Sequence, residues 1–269
     1  MNESEGEESH EVSDPVVGYY FTDALYRSFS YLGCIKSIER AQLPIDIVSG
    51  SGWGGLVAAL YSKYKDSSKV EWKVFNLMQG LKDNDPIYKS EWSYKIGNFL
   101  AQEFHNEKVE SLKVPLVIPF YNNKKGKVSY RSRGPFDLEL SSILNLQFVS
   151  KNFLYTSAIV ASPLSLQGMR KKGVDIIIVF DALSPDVSFK KIDSHVWGVY
   201  MRYFGLFQLQ KKKAQEASRY FFSLGENRFH LDDSSKINET ILLGEESCEK
   251  IASQIKEIIK DWKDERKNL

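Results

Sequence analysis

Glycine and serine residues are concentrated where an apolar segment, residues 45–48, gives way to a helix-forming segment. The run reads, in order, Gly50, Ser51, Gly52, Trp53 and Gly54. A strand that turns sharply into a helix can present a nucleophilic serine at the centre of a G-x-S-x-G turn. The centre of this turn is Gly52, which has no side chain. The residue pattern therefore predicts an elbow of the kind that carries a nucleophile, without the nucleophile.

Ser49 and Ser51 are the alternative nucleophiles here, and Ser51 is the one within the glycine-rich turn. It lies one residue from the centre of the pattern, and a shift of one residue in a tight turn redirects the side chain. Trp53 would also be bulky beside a strained nucleophile. Asp23, Asp46 and Asp181 are candidate bases, although Asp46 and Asp181 are readily explained as strand-end or scaffold positions. An acyl hydrolase or esterase using Ser51, with an unassigned base, is therefore one alternative.

The same elbow matches a second motif. Gly50, Gly52 and Gly55 form G-x-G-x-x-G between a predicted strand and a predicted helix, which is the context of a dinucleotide-binding loop. Such a loop places a phosphate on the helix N-terminus. The acidic residue expected at the end of the next strand is not evident, because residues 70–75 have a helical pattern. Nucleotide binding at Gly50–Gly55 is the second alternative.

The composition indicates one large α/β domain over residues 15–269. The chain has 269 residues, of which 42% are hydrophobic and 26% are charged, enough for a substantial core. A formal net charge of +1 argues against non-specific binding of nucleic acid. Residues 1–14 are acidic with almost no apolar side chains, which predicts a disordered tail.

The cysteines and histidines predict neither a disulfide nor a metal site. Cys34 and Cys248 lie far apart in helical stretches, and the four histidines have no metal-ligand spacing. Together with the lack of an apolar run long enough to cross a bilayer and of a signal peptide, this predicts a cytoplasmic protein with no transmembrane segment.

Apolar periodicity predicts the order of the elements. Strands are expected over residues 16–21, 45–48, 114–121, 128–131 and 174–181, with an edge strand over 228–231. Helices are expected after the first strand, after the elbow, and over residues 70–81, 92–104, 137–146, 164–172 and 245–263. An aromatic segment at 197–203 is followed by the lysines at 211–213, from which a further long helix is expected. Strands that are joined by helices pair in parallel.

Several of these segments resemble the patatin-like phospholipase family in order and spacing. Residues 33–48 are similar to the first helix and second strand of the family, and residues 50–61 to its nucleophile elbow and following helix. Residues 173–181 and 241–246 resemble its later strand and the start of its last helix. The family consists of lipid acyl hydrolases with a Ser-Asp dyad. The resemblance implies a three-layer α/β fold with a mostly parallel central sheet and helices on both faces, and no cofactor.

The catalytic positions of the family are not retained. Its dyad serine falls on Gly52, and its dyad aspartate falls on Ser157. Its glycine-rich oxyanion loop, of which the arginine alone is kept, falls on Asp23, Ala24, Leu25, Arg27 and Ser28. Glycine cannot attack a carbonyl and serine cannot act as an anionic base, while Asp23 would place a negative charge near the oxyanion. The resemblance therefore implies a pseudoenzyme with a lipid or acyl ligand, a protein partner or a second copy of itself.

Two surface segments are candidates for peripheral membrane contact. The first is the basic hairpin with Lys124, Lys125, Lys127, Arg131 and Arg133, which could meet anionic headgroups or an acidic partner. The second is the aromatic segment Trp197, Tyr200, Tyr203, Phe204 and Phe207, followed by three lysines, which could form a flap over a membrane or a partner. The more common explanations of the two segments are a solvated hairpin and packing of the aromatic side chains in the core.

Overall fold

The computed structural model describes residues 13–79, 90–136, 155–183, 194–217, 220–224 and 229–267. Almost all of the predicted acidic tail over residues 1–14 and the whole predicted helix over residues 137–146 lie outside these residues. In the described part, seven strands form one sheet: β1 Val17–Phe21, β2 Ile47–Gly50, β3 Leu116–Asn122, β4 Lys127–Arg131, β5 Tyr155–Ser157, β6 Ile176–Asp181 and β7 Phe221–Ser223.

The sheet is mostly parallel, as predicted. Its strand order is β4-β3-β2-β1-β6-β7, with β5 also paired to β3. β1 pairs in parallel with β2 and β6, β2 with β3, and β6 with β7, whereas β4 and β5 run antiparallel to β3. The hairpin predicted after β3 is formed by β4. The strands β1, β2, β3 and β6 therefore end at the same carboxyl edge.

Helices pack on both faces of this sheet. They are α1 Ser30–Arg40, α2 Gly52–Tyr64, α3 Ser67–Gln79, α4 Ser90–Glu103, α5 Gln167–Arg170, α6 Ser194–Ala217 and α7 Ile237–Lys267, with short 3-10 helices that include Leu25–Phe29. None of the described helices is both long enough and apolar enough to span a bilayer.

Alternate residues of the central strands enter two separate apolar layers. In β6, Ile176, Ile178 and Phe180 belong to the large layer with α1 and α2, whereas Ile177 and Val179 contact the smaller layer with α5. A strand that is buried on both faces needs no polar alternation. This confirms the interpretation of residues 174–181 as a doubly covered strand and gives the three-layer α/β architecture.

Several elements differ from the sequence-based prediction, and two of them bear on the site. α6 is one helix from Ser194, because Tyr203 and Phe207 are four residues apart and bury the same face; the aromatic segment is part of this helix. The edge strand is β7, whereas residues 229–231 of the predicted strand 228–231 form no strand and residue 228 lies outside the described residues. The carbonyls of Phe229 and Leu231 instead accept hydrogen bonds from the 3-10 helix Leu25–Phe29.

The prediction of two unpaired cysteines is wrong. Cys34 in α1 and Cys248 in α7 form a disulfide across a sequence separation of 214 residues. The sequence could not show this pairing, because it depends on how the two helices cross. Disulfides persist mainly in oxidising compartments, so the cysteines no longer support the expected cytoplasmic location.

The helices α1 and α7 cross at two glycines beside the disulfide. A Cβ added to Gly244 would lie 1.9 Å from the Ser30 carbonyl oxygen, and one added to Gly33 would lie 2.1 Å from the Ile241 carbonyl oxygen. Both contacts are with backbone atoms, which cannot rotate away. The close approach of the helices therefore depends on the absence of side chains at these positions.

Replacing Gly33 or Gly244 by alanine should separate the helices and destabilise the fold by about 2–4 kcal/mol. Gly205→Ala in α6 is the matched control, because a Cβ there would meet nothing within 4 Å. That change should stabilise the protein by up to about 1 kcal/mol through helix propensity. Urea unfolding of the three variants measures both effects, and equal stabilities of Gly244→Ala and Gly205→Ala would contradict the crossing geometry.

Candidate functional site

The predicted elbow lies at the carboxyl edge of the sheet. β2 ends at Gly50, Ser51 is extended, and α2 begins at Gly52 with a φ of +53°. A positive φ is readily adopted by glycine and costs other residues conformational energy. Gly54 lies against the end of β1, where a Cβ would be 2.3 Å from the Thr22 carbonyl oxygen. The elbow is therefore pressed onto the residues that follow β1.

The space beside Gly52 is filled by the side chain of Asp23. A Cβ added to Gly52 would lie 2.4 Å from Asp23 Cγ, 2.6 Å from its Oδ1 and 2.8 Å from its Cβ. Asp23 is fully buried, so its side chain has no solvent region into which to withdraw. The position that the dyad serine occupies by resemblance is thus both glycine and sterically closed.

The Asp23 carboxylate also accepts a hydrogen bond from the backbone N–H at the start of α2. The Trp53 N–H donates to Asp23 Oδ1 at 2.9 Å, and the Leu25 N–H approaches the same oxygen at 3.4 Å. In hydrolase elbows, the N–H of the residue after the nucleophile is an oxyanion donor. If Gly52 is the nucleophile position, as the resemblance implies, the chain's own carboxylate accepts from the N–H that would stabilise an oxyanion.

Burial determines the electrostatics of Asp23. It raises the pKa of Asp23 to about 6, against the opposing effect of the N–H groups of Trp53 and Leu25. Its second oxygen, Oδ2, has no hydrogen-bond partner among the described residues. When ionised, this carboxylate would repel a phosphate at the N-terminus of α2, where the dinucleotide hypothesis requires one.

The hydroxyl of Ser51 is committed to a structural contact. Ser51 is fully buried, and its Oγ donates to the Pro163 carbonyl oxygen at 3.2 Å. The Tyr20 hydroxyl donates to the same carbonyl at 2.8 Å. Ser49 is also fully buried, and its Oγ has no partner in the described part of the chain. Neither serine has a described carboxylate or imidazole as a hydrogen-bonded base.

Strand pairing places Ser157 beside the elbow. β4 occupies one edge of β3 from Ile118 to Asn122, so β5 must pair with the other edge, where β2 pairs at Leu116 and Val117. β5 therefore lies beside β3 just past the point where β2 ends. Ser157 is the last residue of β5 and is paired with Phe120 of β3. Ser157 is buried, and its Oγ accepts from the Ile159 N–H at 3.5 Å, which caps a 3-10 turn.

The residues at the oxyanion-loop position form a different local structure. Leu25, with a φ of +49°, begins a 3-10 helix, and the Ala24 N–H donates to Ser28 Oγ at 2.9 Å. The Arg27 guanidinium is buried and donates through Nε to the Phe229 carbonyl at 2.8 Å. The retained Arg27 and the neighbouring Ser28 therefore hold this turn and the loop at Phe229 together.

The helix α6 lies across the same carboxyl edge, and the sequence did not indicate these contacts. The Tyr203 hydroxyl donates to the backbone oxygen of Asp23 at 2.6 Å, and Lys211 pairs with Asp181 at 2.7 Å. Burial raises the pKa of Asp181, although Lys211 opposes the shift. Asp181, a candidate base by sequence, is thus the partner of a lysine. Asp46, the third candidate, accepts from the Val17 N–H at 2.8 Å.

One sequence signal could have revealed the filled elbow. Relative to the family pattern, a side chain is gained at Asp23 and lost at Gly52, and the structure shows that the two changes use the same space.

No group of three metal-ligating side chains occurs among the described residues.

Comparison with known proteins gives partial similarities. Lysophospholipase NTE1 of Kluyveromyces lactis is 28% identical over 116 residues, which cover 35% of this chain and 8% of that protein. The chain thus spans a small fraction of the length of this relative. The crystal structure of the type III effector protein ExoU aligns with a TM-score of 0.43 and 12% identity, covering 89% of this chain and 53% of the other. No model of a protein family matches the chain.

The steric exclusion at the elbow can be tested by a series of substitutions. Gly52→Ser should destabilise the wild type by about 2–4 kcal/mol, through backbone strain and overlap with Asp23. In an Asp23→Gly background the overlap is gone, and the cost should fall to about 1–2 kcal/mol.

Asp23→Ala is the matched intermediate, because the Cβ that remains would still lie 2.8 Å from the new side chain. The expected cost of Gly52→Ser, measured by urea unfolding, decreases in the order Asp, Ala, Gly at position 23. Equal costs in all three backgrounds would show that Asp23 does not fill this space.

The ionisation of Asp23 should make stability depend on pH. Because burial raises its pKa from 3.8 to about 6 in the folded protein, the fold holds this proton more tightly than the unfolded chain does. The resulting contribution to the free energy of unfolding is up to about 3 kcal/mol. It is complete below about pH 4 and is lost as the pH rises through about 6. The side chain of Asp23→Asn cannot titrate, so the variant does not lose this stability. Relative to the wild type, it should therefore become more stable as the pH rises between these values. A difference between the two proteins that does not change with pH would contradict this.

Proposed function

We propose that this chain, whose partial sequence match to a lysophospholipase supports a relationship to the patatin-like phospholipases, is a non-hydrolysing domain with a binding role. Its ligand is a lipid or acyl chain, or its role is the regulation of a protein partner, including a second copy of itself. No cofactor is required for such a role.

The observation that supports this proposal most directly is the filled elbow. A serine hydrolase needs a nucleophile and an unoccupied oxyanion site beside it, since removing even one oxyanion donor costs ~3 kcal/mol of transition-state stabilisation. Here Gly52 provides no nucleophile, and Asp23 Oδ1 accepts from the Trp53 N–H at 2.9 Å. A carboxylate at this position would also repel the oxyanion that acyl transfer generates.

The position of the base supports the same conclusion. Ser157, at the position of the dyad aspartate, lies at the end of β5 beside the elbow, and it carries no charge with which to accept a proton. The nucleophile, the base and the oxyanion donor are thus changed at one place in the fold. This agreement favours loss of hydrolysis as a whole over the replacement of a single residue.

The two alternatives lack a supporting contact in the described residues. A hydrolase using Ser51 requires a hydroxyl that can reach substrate, whereas Ser51 is fully buried and donates to Pro163. A nucleotide-binding loop requires a free helix N-terminus, whereas Asp23 occupies that of α2. A lipid ligand follows from the family relationship, because loss of a nucleophile does not by itself remove an apolar binding surface.

Two measurements on the purified full chain test the proposed function. A fluorophosphonate probe should label neither Ser49 nor Ser51, as mapped by mass spectrometry, and lysophospholipid should not be hydrolysed. Saturable binding of a fatty acid or lysophospholipid, measured below its critical micelle concentration, should occur without turnover.

The control for the activity assay is Ser51→Ala beside an active serine hydrolase. Turnover that disappears in Ser51→Ala would overturn the proposal of a non-hydrolysing domain. If neither turnover nor lipid binding occurred, the lipid ligand would be excluded and the role would be that of a protein-binding module.

A further inference from the structure

The outer side of α6 combines exposed apolar side chains with positive charge. We define the α6 docking face by its exposed residues, which are Gly198, Met201, Arg202, Gly205, Leu209 and Lys212. Of their side chains, Met201 is 43% exposed and Leu209 is 67% exposed. The helix has no Asp or Glu before Glu216, so Arg202 has no acidic neighbour on its own helix, and Glu216 is the one acidic residue within a turn of Lys212 along this helix.

The opposite side of α6 fixes this face in space. Tyr203, Phe207 and Lys211 contact the fold at the carboxyl edge: Tyr203 bonds to Asp23, Phe207 is fully buried, and Lys211 pairs with Asp181. Gln210 accepts from the Leu164 N–H at 3.0 Å at the same edge. The α6 docking face therefore points outward from the edge that carries the elbow.

A second group of positive charges projects from the same edge. β3 runs parallel to β2, so the turn between Asn122 and Lys127 lies at the carboxyl edge. Lys124, Lys125 and Lys127 are exposed on this turn. The edge therefore presents cations from two elements, together with the two exposed apolar side chains of α6.

We propose that this edge docks on the surface of an anionic lipid bilayer, with Met201 and Leu209 entering the headgroup region and the cations facing lipid phosphates and carboxylates. A helix that lies in the interface requires apolar side chains flanked by lysine or arginine, as on this face. The outer side of a single helix is convex, which suits a flat, deformable bilayer. The inference goes beyond the proposed function, because it requires neither hydrolysis nor an acyl chain bound at the elbow.

Flotation of the full chain with phospholipid vesicles tests this docking. The wild type should float with vesicles that contain phosphatidylserine and not with pure phosphatidylcholine vesicles. Binding should fall steeply when NaCl is raised from about 0.1 M to about 0.5 M, because salt screens the attraction. Met201→Gln with Leu209→Gln should weaken binding at least about tenfold, and Arg202→Gln with Lys212→Gln about fivefold for each charge removed.

Leu242→Gln is the matched control, since Leu242 is 58% exposed on α7 and lies outside the docking face. It should leave vesicle binding unchanged, and circular dichroism should show that all variants are folded. Absence of binding to phosphatidylserine vesicles at low salt would overturn the inference, as would equal binding by the Met201/Leu209 variant. Dimerisation in ultracentrifugation that this variant abolishes would instead assign the face to a second copy of the chain.

The vesicle assay is independent of the ligand assay for the elbow. Binding of a monomeric fatty acid without vesicle binding would remove the docking inference and leave the proposed function intact. Vesicle binding without binding of a monomeric lipid would leave the docking inference intact. It would remove the lipid ligand from the proposed function.

Discussion

The contact between the Asp23 side chain and the elbow is the constraint on which the rest of the site depends. Asp23 fills the space next to Gly52 and accepts from the Trp53 N–H, so the turn is stabilised by a carboxylate at the N-terminus of a helix. Gly52 must then remain without a side chain. Tyr203 in turn holds the backbone of Asp23 from α6. One buried residue, Asp23, therefore links the end of β1 to the start of α2 through its carboxylate, and to the helix that lies over the carboxyl edge through its backbone oxygen.

On the proposed relationship to the patatin-like phospholipases, this arrangement accounts for several departures from the family pattern together. An acidic side chain after β1 is compatible with this elbow only if the nucleophile position is glycine, and an oxyanion donor that is already satisfied has no role in acyl transfer. With no nucleophile, an aspartate at position 157 would be a buried charge without a function, whereas Ser157 caps a turn at low cost. The carboxyl edge then presents a packed polar cluster beneath α6, while residues on the outer side of α6 are exposed.

Much of the fold could be predicted from the sequence, and much of the site could not. Doubly buried strands such as β6, and the glycine-rich turn before α2, have local signatures in residue type and spacing. The role of Asp23 depends on a contact with Trp53, 30 positions away, and the disulfide joins residues 214 positions apart. Such contacts are set by how the helices and strands pack together. The position of β7 was missed for the same reason, because its pairing with β6 decides which short apolar run becomes the edge strand.

The most direct test of the filled elbow is the pH titration of the Trp53 backbone amide by two-dimensional NMR. If Asp23 accepts from this N–H, the amide resonance should shift with an inflection at the Asp23 pKa of about 6, and Asp23→Asn should abolish the shift. A Trp53 amide that does not respond to pH in the wild type, or that responds equally in Asp23→Asn, would show that the carboxylate does not occupy the oxyanion position.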